Sequence, residues 1–182
     1  MLFRSVASLS GNPDLFRFKH LDVAIIDEAS QILEPQLLNL LAARGPKGEN
    51  GIGKFVLIGD HKQLPAVVQQ KEATSKIEAP ELNELQIFNM RDAFFERLHR
   101  INAPQSVEWL TCQGRMHPEI AAFTNFYFYD NKLSSLNLPH QMEHDFPLAE
   151  ILQYPTDTES TVLTNRVTFI ASELESSPET YK

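Results

Sequence analysis

The sequence holds a single cysteine, Cys112, in 182 residues. One thiol closes no internal disulfide, which excludes the oxidised, disulfide-stapled secreted scaffold and makes a reducing compartment, cytoplasm or nucleus, the expectation. Long apolar runs are also lacking, and nothing approaches the ~20 consecutive apolar residues of a membrane-spanning helix. Residues 1–10 carry only Arg4 ahead of a short run broken by serines, too weak for a secretory signal. A soluble chain with no membrane contact is expected. Positive charge is scarce, with 16 Lys and Arg against 24 Asp and Glu and a formal net charge of −8. Phosphate gripping rests on clustered Lys and Arg that displace counterions, so the balance argues against an isolated nucleic-acid-binding module. It argues less against a part of a larger machine, because net charge does not describe the local field of a cleft. Internal repeats and long low-complexity tracts are absent.

An apolar content of 42% is enough for one α/β domain or for parts of two consecutive ones. Residues 21–26 are apolar except for Asp22, the pattern of a strand buried on both faces of a parallel sheet. Pro35 suits a first helical turn; Leu37, Leu38, Leu40 and Leu41 give that helix an apolar face, and Gly45 and Pro46 stop it. A glycine-rich connection at residues 45–53 leads to a second buried strand at 54–58, which ends at Gly59 and Asp60. Leu85, Phe88, Phe95 and Leu98 recur at spacings of three and seven, which predicts one helix face.

After these, residues 107–110 predict a strand and 118–129 an aromatic-rich helix opened by Pro118. The rings between Phe123 and Tyr129 suit core packing better than a base-stacking platform, since Lys132 is the only cation nearby in sequence. Residues 134–161 concentrate proline, histidine and acids without a period and read as loop or insertion. Residues 166–171 are a late strand candidate and 172–182 a polar tail. The expected division is a first domain at 1–105 and a second at 106–182.

The chemistry gathers at the ends of the two early strands. Asp27 and Glu28 close the first, at the carboxyl edge of a parallel sheet, where ligands of open α/β folds bind. There an Asp can hold Mg²⁺, directly or through water, and a neighbouring Glu can take the proton of an attacking water. An N-cap and first-turn acids, favourable to the helix dipole, are the other reading, and the dipeptide alone does not separate the two. The second strand ends in Gly59-Asp60-His61-Lys62-Gln63-Leu64-Pro65, where Gly59 and Asp60 give a tight turn and Gln63 offers both a donor and an acceptor. Further on, Gln113-Gly114-Arg115-Met116-His117-Pro118 lies between a strand and a helix, and Arg115 is a permanent cation able to grip phosphate oxygens in pairs. A surface arginine at a helix start is the plainer alternative.

Together, Asp27-Glu28-Ala29-Ser30-Gln31, Gly59-Asp60-His61-Lys62-Gln63-Leu64-Pro65 and Gln113-Gly114-Arg115-Met116-His117-Pro118 resemble motifs II, III and IV of superfamily 1 helicases, in the group that contains the RNA helicase of nonsense-mediated decay. Ala93-Phe94-Phe95-Glu96-Arg97-Leu98 resembles the helix that precedes motif IV there, and residues 126–133 the segment that follows it. The resemblance implies an α/β fold, an incomplete RecA-like P-loop NTPase with parts of two consecutive RecA-like domains, a parallel sheet flanked by helices, and ATP with Mg²⁺ between the domains. It implies Asp27 as the Mg²⁺ residue, acting through water, Glu28 as catalytic base, Gln63 as γ-phosphate sensor and Arg115 as the cross-cleft arginine. Gly59, Asp60 and Gln113 join Asp27 as nucleotide-binding positions. The partners it implies are single-stranded DNA or RNA and the remainder of the helicase core.

Two departures from the pattern matter. Gly114 stands where many relatives carry a tyrosine that helps hold the base, and no phosphate loop precedes Asp27 in these residues. Alone, this chain is therefore expected to hydrolyse ATP poorly or not at all.

Two other matches fail on context. Gly48-Glu49-Asn50-Gly51-Ile52-Gly53-Lys54 has phosphate-loop spacing, but Phe55 follows where Ser or Thr is needed and the segment leads into a strand. His140-Gln141-Met142-Glu143-His144 matches an inverted zinc-peptidase pattern, but Pro139 and Pro147 bracket it and no third ligand is evident. Three functional classes follow: a helicase motor segment, a helicase-like binding or regulatory module without hydrolysis, and a zinc peptidase.

Overall fold

Two short helices, α1 (Val6–Ser10) and α2 (Leu15–Phe18), open the chain in the computed structural model, which describes residues 4–101, 104–142 and 166–168. The apolar run that follows forms β1 (Leu21–Ile26), and β2 (Ile52–Leu57) pairs with it in parallel. Leu21 lies opposite Ile52 and Ile26 opposite Leu57, so both strands end at one edge. Parallel pairing demands a crossover. A 3₁₀ turn at Ala29–Gln31 and helix α3 (Glu34–Leu41) provide it. Pro35 sits in the first turn of α3, where no amide is needed, and the Leu33 amide donates to Gln36 Oε1 at 2.9 Å.

Leu37 and Leu40 of α3 are buried, and with Phe16, Ile26, Ala29, Ala43 and Ile52 they form the core of this first unit. Burying each large apolar side chain contributes about 1.5–3 kcal/mol relative to leaving it in water. The opposite face of the strand pair, carrying Val23, Ile25 and Val56, is exposed, with Ile25 at 68%, as is Ile58 just past β2. The expectation of burial on both faces is corrected to burial on one. A continuous apolar run reports that a strand can be covered on two sides, and cannot report what covers it.

The single helix expected from Leu85 to Leu98 is also corrected. The chain forms α4 (Glu72–Ser75), α5 (Pro80–Glu84) and α6 (Phe94–Arg100), with Leu85 and Phe88 outside any helix. Gln86 takes a left-handed backbone (φ 58°), and Ile77 donates to Phe88 O while Met90 donates to Ser75 O, both at 2.9 Å. The Asn89 side chain accepts the Arg91 amide at 3.0 Å, a local alternative to helical bonding that residue spacing does not register.

One buried ion pair ties α6 to α3. Arg97 reaches both Glu34 oxygens, Nε at 3.1 and 2.9 Å and a terminal nitrogen at 2.6 Å, with the side chains only 14% and 7% exposed. Arg97 also donates to Leu85 O at 3.3 Å and lies 5.0 Å from the centre of the Phe94 ring. Around this pair, Glu34 N donates to Asp92 O at 2.9 Å.

The chain divides into two compact units, Met1–Glu108 and Trp109–Lys182. In the second, the strand expected at 107–110 is irregular, and β3 (Cys112–Gln113) starts just beyond it. It pairs in parallel with β4 (Ser134–Ser135), and helix α7 (Pro118–Phe128) lies between them in sequence. His117 Nδ1 accepts the Glu119 amide at 3.2 Å and so caps α7.

Residues 134–142, expected as loop or insertion, instead hold β4 and a 3₁₀ turn at Pro139–Gln141. Phe123, Phe126 and Tyr127, expected in a core, are 60–65% exposed and touch one another. Apolar rings surround much of this helix, so no single buried face can absorb them. The remainder of the expected loop at 143–161, residues 169–171 of the late strand candidate and the tail at 172–182 lie outside the described residues. Among the described residues no helix is long and apolar enough to cross a membrane.

Replacing Arg97 by Ala strands the Glu34 carboxylate in a buried site, and is expected to cost about 3–5 kcal/mol in urea denaturation. Arg97→Lys, which cannot reproduce the paired geometry, should recover only part of it. A loss below about 1 kcal/mol for Arg97→Ala would match a surface pair and reject a structural role.

Candidate functional site

The parallel register aligns the ends of β1 and β2 and brings two loops side by side. The backbone stitches them first: Ile58 N donates to Ile26 O and Ala29 N to Ile58 O, each at 2.8 Å. Side chains finish the seam. The Asp60 amide donates to Ser30 Oγ at 3.2 Å, and Gln31 Nε2 donates to Leu64 O. Gly59 lies so close to this seam that a Cβ there would stand 2.8 Å from the Ser30 amide nitrogen. Residue 59 must be glycine because the backbone of the neighbouring loop occupies the space of a side chain.

Asp27 and Glu28 are both exposed at this edge. Glu28 adopts the left-handed conformation, φ 53° and ψ 38°, and its amide donates to Asp27 Oδ1 at 3.0 Å. Non-glycine residues rarely hold this geometry, and where they do the surroundings impose it. Glu28 stands at the N-cap position of the 3₁₀ turn but makes no side-chain capping bond there, and the N-cap of α3 is Leu33. Two exposed carboxylates supply the hard oxygen donors that Mg²⁺ takes, so the donor set fits such an ion.

In the second loop Asp60 organises its neighbours. Its carboxylate accepts the Lys62 amide at 2.9 Å and Gln63 Nε2 at 3.2 Å, which anchors the exposed Gln63 side chain. His61 lies against His99 of α6, ring centres 4.1 Å apart. Burial, then the nearby His99 and Lys62, hold the His61 ring below its ordinary value of 6.5, with Asp60 opposing them.

In the second unit Arg115 is exposed on a turn whose backbone is held by Gln113. Gln113 Oε1 accepts the Arg115 and Met116 amides at 3.1 and 2.9 Å, while its Nε2 donates to Met116 O and Ser135 Oγ. The Gln113 amide is thus occupied by its own turn and by β4. A Cβ on Gly114 would stand 3.3 Å from the tips of Leu136 and Leu138.

Within the first unit the structure brings Asp27, Glu28, Gly59, Asp60 and Gln63 to one edge; Gln113 and Arg115 share a separate turn in the second. Sequence reasoning gave no individual role to Ser30, Gln31 or Gln141, and weighed His140 only as a zinc ligand. Ser30 and Gln31 follow the two acids after Ala29 alone, and that nearness was the available signal. The phosphate-loop lookalike runs from a turn, closed by Gly45 N donating to Glu49 O at 2.8 Å, into β2, to which Ile52, Gly53 and Lys54 already belong. His140 of the zinc-peptidase lookalike bonds the Gly114 carbonyl, and Glu143 and His144 lie outside the described residues.

Gly59→Ala should displace the Ser30 loop and cost about 2–3 kcal/mol, as overpacking against backbone does; an unchanged urea midpoint would reject the close approach. For His61 the sign is set by a folded-state pKa below the unfolded one. The folded protein then binds fewer protons, so stability is full above 6.5 and falls as pH drops through that value towards the lower folded one. The urea midpoint should decline between about pH 7.5 and 5.5, and His61→Asn should flatten that decline.

Known proteins resemble this chain along most of its length. Residues 5–71 match one AAA domain family and residues 90–180 a second, also described as AAA domain. The DNA replication ATP-dependent helicase/nuclease DNA2 of Gallus gallus is 33% identical over 129 residues, covering 71% of this chain and 11% of that protein. The Homo sapiens protein of the same name is 34% identical over 123 residues, 67% of this chain and 9% of the relative. Probable helicase MAGATAMA 3 of Arabidopsis thaliana is 38% identical over 112 residues, 62% of this chain and 11% of the relative. The chain thus spans about a tenth of the length of these curated relatives. With its parallel strand pair, the acids at the strand ends and these two matched segments, the chain belongs to the AAA domain family in its superfamily 1 helicase form, as a partial RecA-like α/β structure.

Proposed function

We propose that this chain is the part of an ATP-driven superfamily 1 helicase that senses and hydrolyses the γ-phosphate while the motor moves along single-stranded DNA or RNA. The observation that carries the proposal is the alignment of Asp27-Glu28 with Gly59 to Gln63 along one sheet edge. Mg²⁺ held there through water by Asp27 would neutralise phosphate charge. Glu28 takes the proton of the attacking water, and its exposed carboxylate leaves it open to solvent. Gln63, anchored by Asp60, reads the γ-phosphate, and Gly59 and Asp60 shape the loop that presents it. Arg115 is the guanidinium that the second unit offers to the phosphoryl group.

The remainder of a helicase core is the partner this reading requires, and cytoplasm or nucleus is the compartment that suits it. The relatives named as DNA replication helicases favour DNA as the strand. A binding or regulatory module without hydrolysis is the second reading.

The test compares ATP hydrolysis by this chain and by the complete reading frame that contains it, with and without single-stranded DNA and RNA. The chain alone should be nearly inert, because positioning and electrostatic stabilisation of the phosphates make up almost all of the catalysis. The complete protein should be stimulated by a single strand, and Glu28→Gln should lower its kcat about 100-fold or more. A Glu28→Gln protein at the original rate removes the base assignment. An inert complete protein that still binds nucleotide or nucleic acid transfers the argument to the regulatory reading.

A further inference from the structure

The segment at residues 138–141 holds the arginine turn in addition to Gln113. Gln141 is 0% exposed, yet all of its bonds go to backbone. Its Oε1 accepts the Leu138 amide at 3.0 Å, and its Nε2 donates to Met116 O at 2.8 Å and to Gln113 O at 3.3 Å. Those two carbonyls bracket Gly114 and Arg115. His140 Nε2 donates to Gly114 O at 2.7 Å. The Gly114 to Arg115 peptide is therefore held at both poles, its oxygen by His140 and its nitrogen by Gln113 Oε1 at 3.1 Å. A leucine would fill the volume of Gln141 without the desolvation cost of a buried amide, so this amide is stabilising only through the bonds it makes. The result is a turn whose backbone is fixed from several directions while the Arg115 side chain is exposed.

We propose that Gln141, with His140, is a positioning residue for Arg115. It touches no nucleotide; it fixes the backbone from which Arg115 reaches a phosphoryl group, because a displacement of about 1 Å in such a group costs up to about 100-fold in rate. This rests on the role proposed above for Arg115.

The first measurement is amide hydrogen exchange on the 182-residue chain. Gln141→Leu keeps the volume and deletes the side-chain bonds, so exchange at Arg115 and Met116 should quicken about tenfold or more while Ile58 is unchanged. His140→Ala, at an exposed ring that folding does not require, should quicken Arg115 alone and serves if Gln141→Leu fails to fold. Unchanged exchange at Arg115 in both variants overturns the clamp.

The second measurement is kinetic, in the complete reading frame. Gln141→Leu should lower kcat about tenfold with KM for ATP within about twofold. In an Arg115→Ala background it should have no further effect, whereas a merely structural role would lower the rate again by the same factor. Arg115→Ala at the original rate overturns the role proposed for the arginine, and this inference with it. A slow Arg115→Ala protein beside a Gln141→Leu protein at full rate overturns the inference alone.

Discussion

The first unit's part of the candidate site depends on the close approach of Gly59 to Ser30. The parallel register of β1 and β2 would bring the two strand ends together in any case, but the loops beyond them would be free to diverge. They do not, because Ala29 N bonds Ile58 O, Asp60 N bonds Ser30 Oγ and Gln31 bonds Leu64 O across the seam. The seam closes only because residue 59 has no side chain. From this one contact follow the placing of Asp27 and Glu28 on one lip and the fixing of the Asp60 to Gln63 turn on the other.

The Glu34–Arg97 pair holds the same arrangement from behind. Glu34 begins the helix that crosses from β1 to β2, and Arg97 lies in α6, the helix whose His99 packs on His61. Neutral groups of similar shape could join α3 to α6 with less desolvation. What the paired geometry adds is direction, since a guanidinium bonded through both carboxylate oxygens fixes the angle of one helix against the other. The loop that carries Gln63 therefore rests on a support whose orientation is set by charge, and its His61 contact inherits that orientation.

The sequence was most legible where one local rule decides the outcome. The run Leu21–Ile26 became a strand with those bounds, Pro35 and Pro118 each stand in a first helical turn, and the three motifs carried the family. It was least legible where a distant or unusual backbone contact decides. Leu85 and Phe88 have helical spacing, but Gln86 turns left-handed and Asn89 captures the Arg91 amide, so the period is broken by two residues that apolar counting ignores. Val23 and Ile25 look like core because periodicity measures what a strand could bury. Gln141 was hidden for the opposite reason: a polar residue in a proline- and histidine-rich stretch has the composition of a loop, and its burial depends on carbonyls some 25 residues away.

The backbone of Glu28 joins structure to chemistry. A left-handed glutamate costs of order 1–2 kcal/mol relative to ordinary geometry, and glycine would remove that cost. Glycine would also remove the carboxylate. The conformation is retained because the bonds on either side, Glu28 N to Asp27 Oδ1 and Ala29 N to Ile58 O, leave the chain no other route from the strand end into the 3₁₀ turn. The sharp reversal delivers two adjacent side chains to one edge, whereas in a continuing strand they would point to opposite faces. A paired arrangement of acids, which an extended dipeptide cannot give, is thus obtained by straining a single residue, and the seam at Gly59 is what sustains the strain.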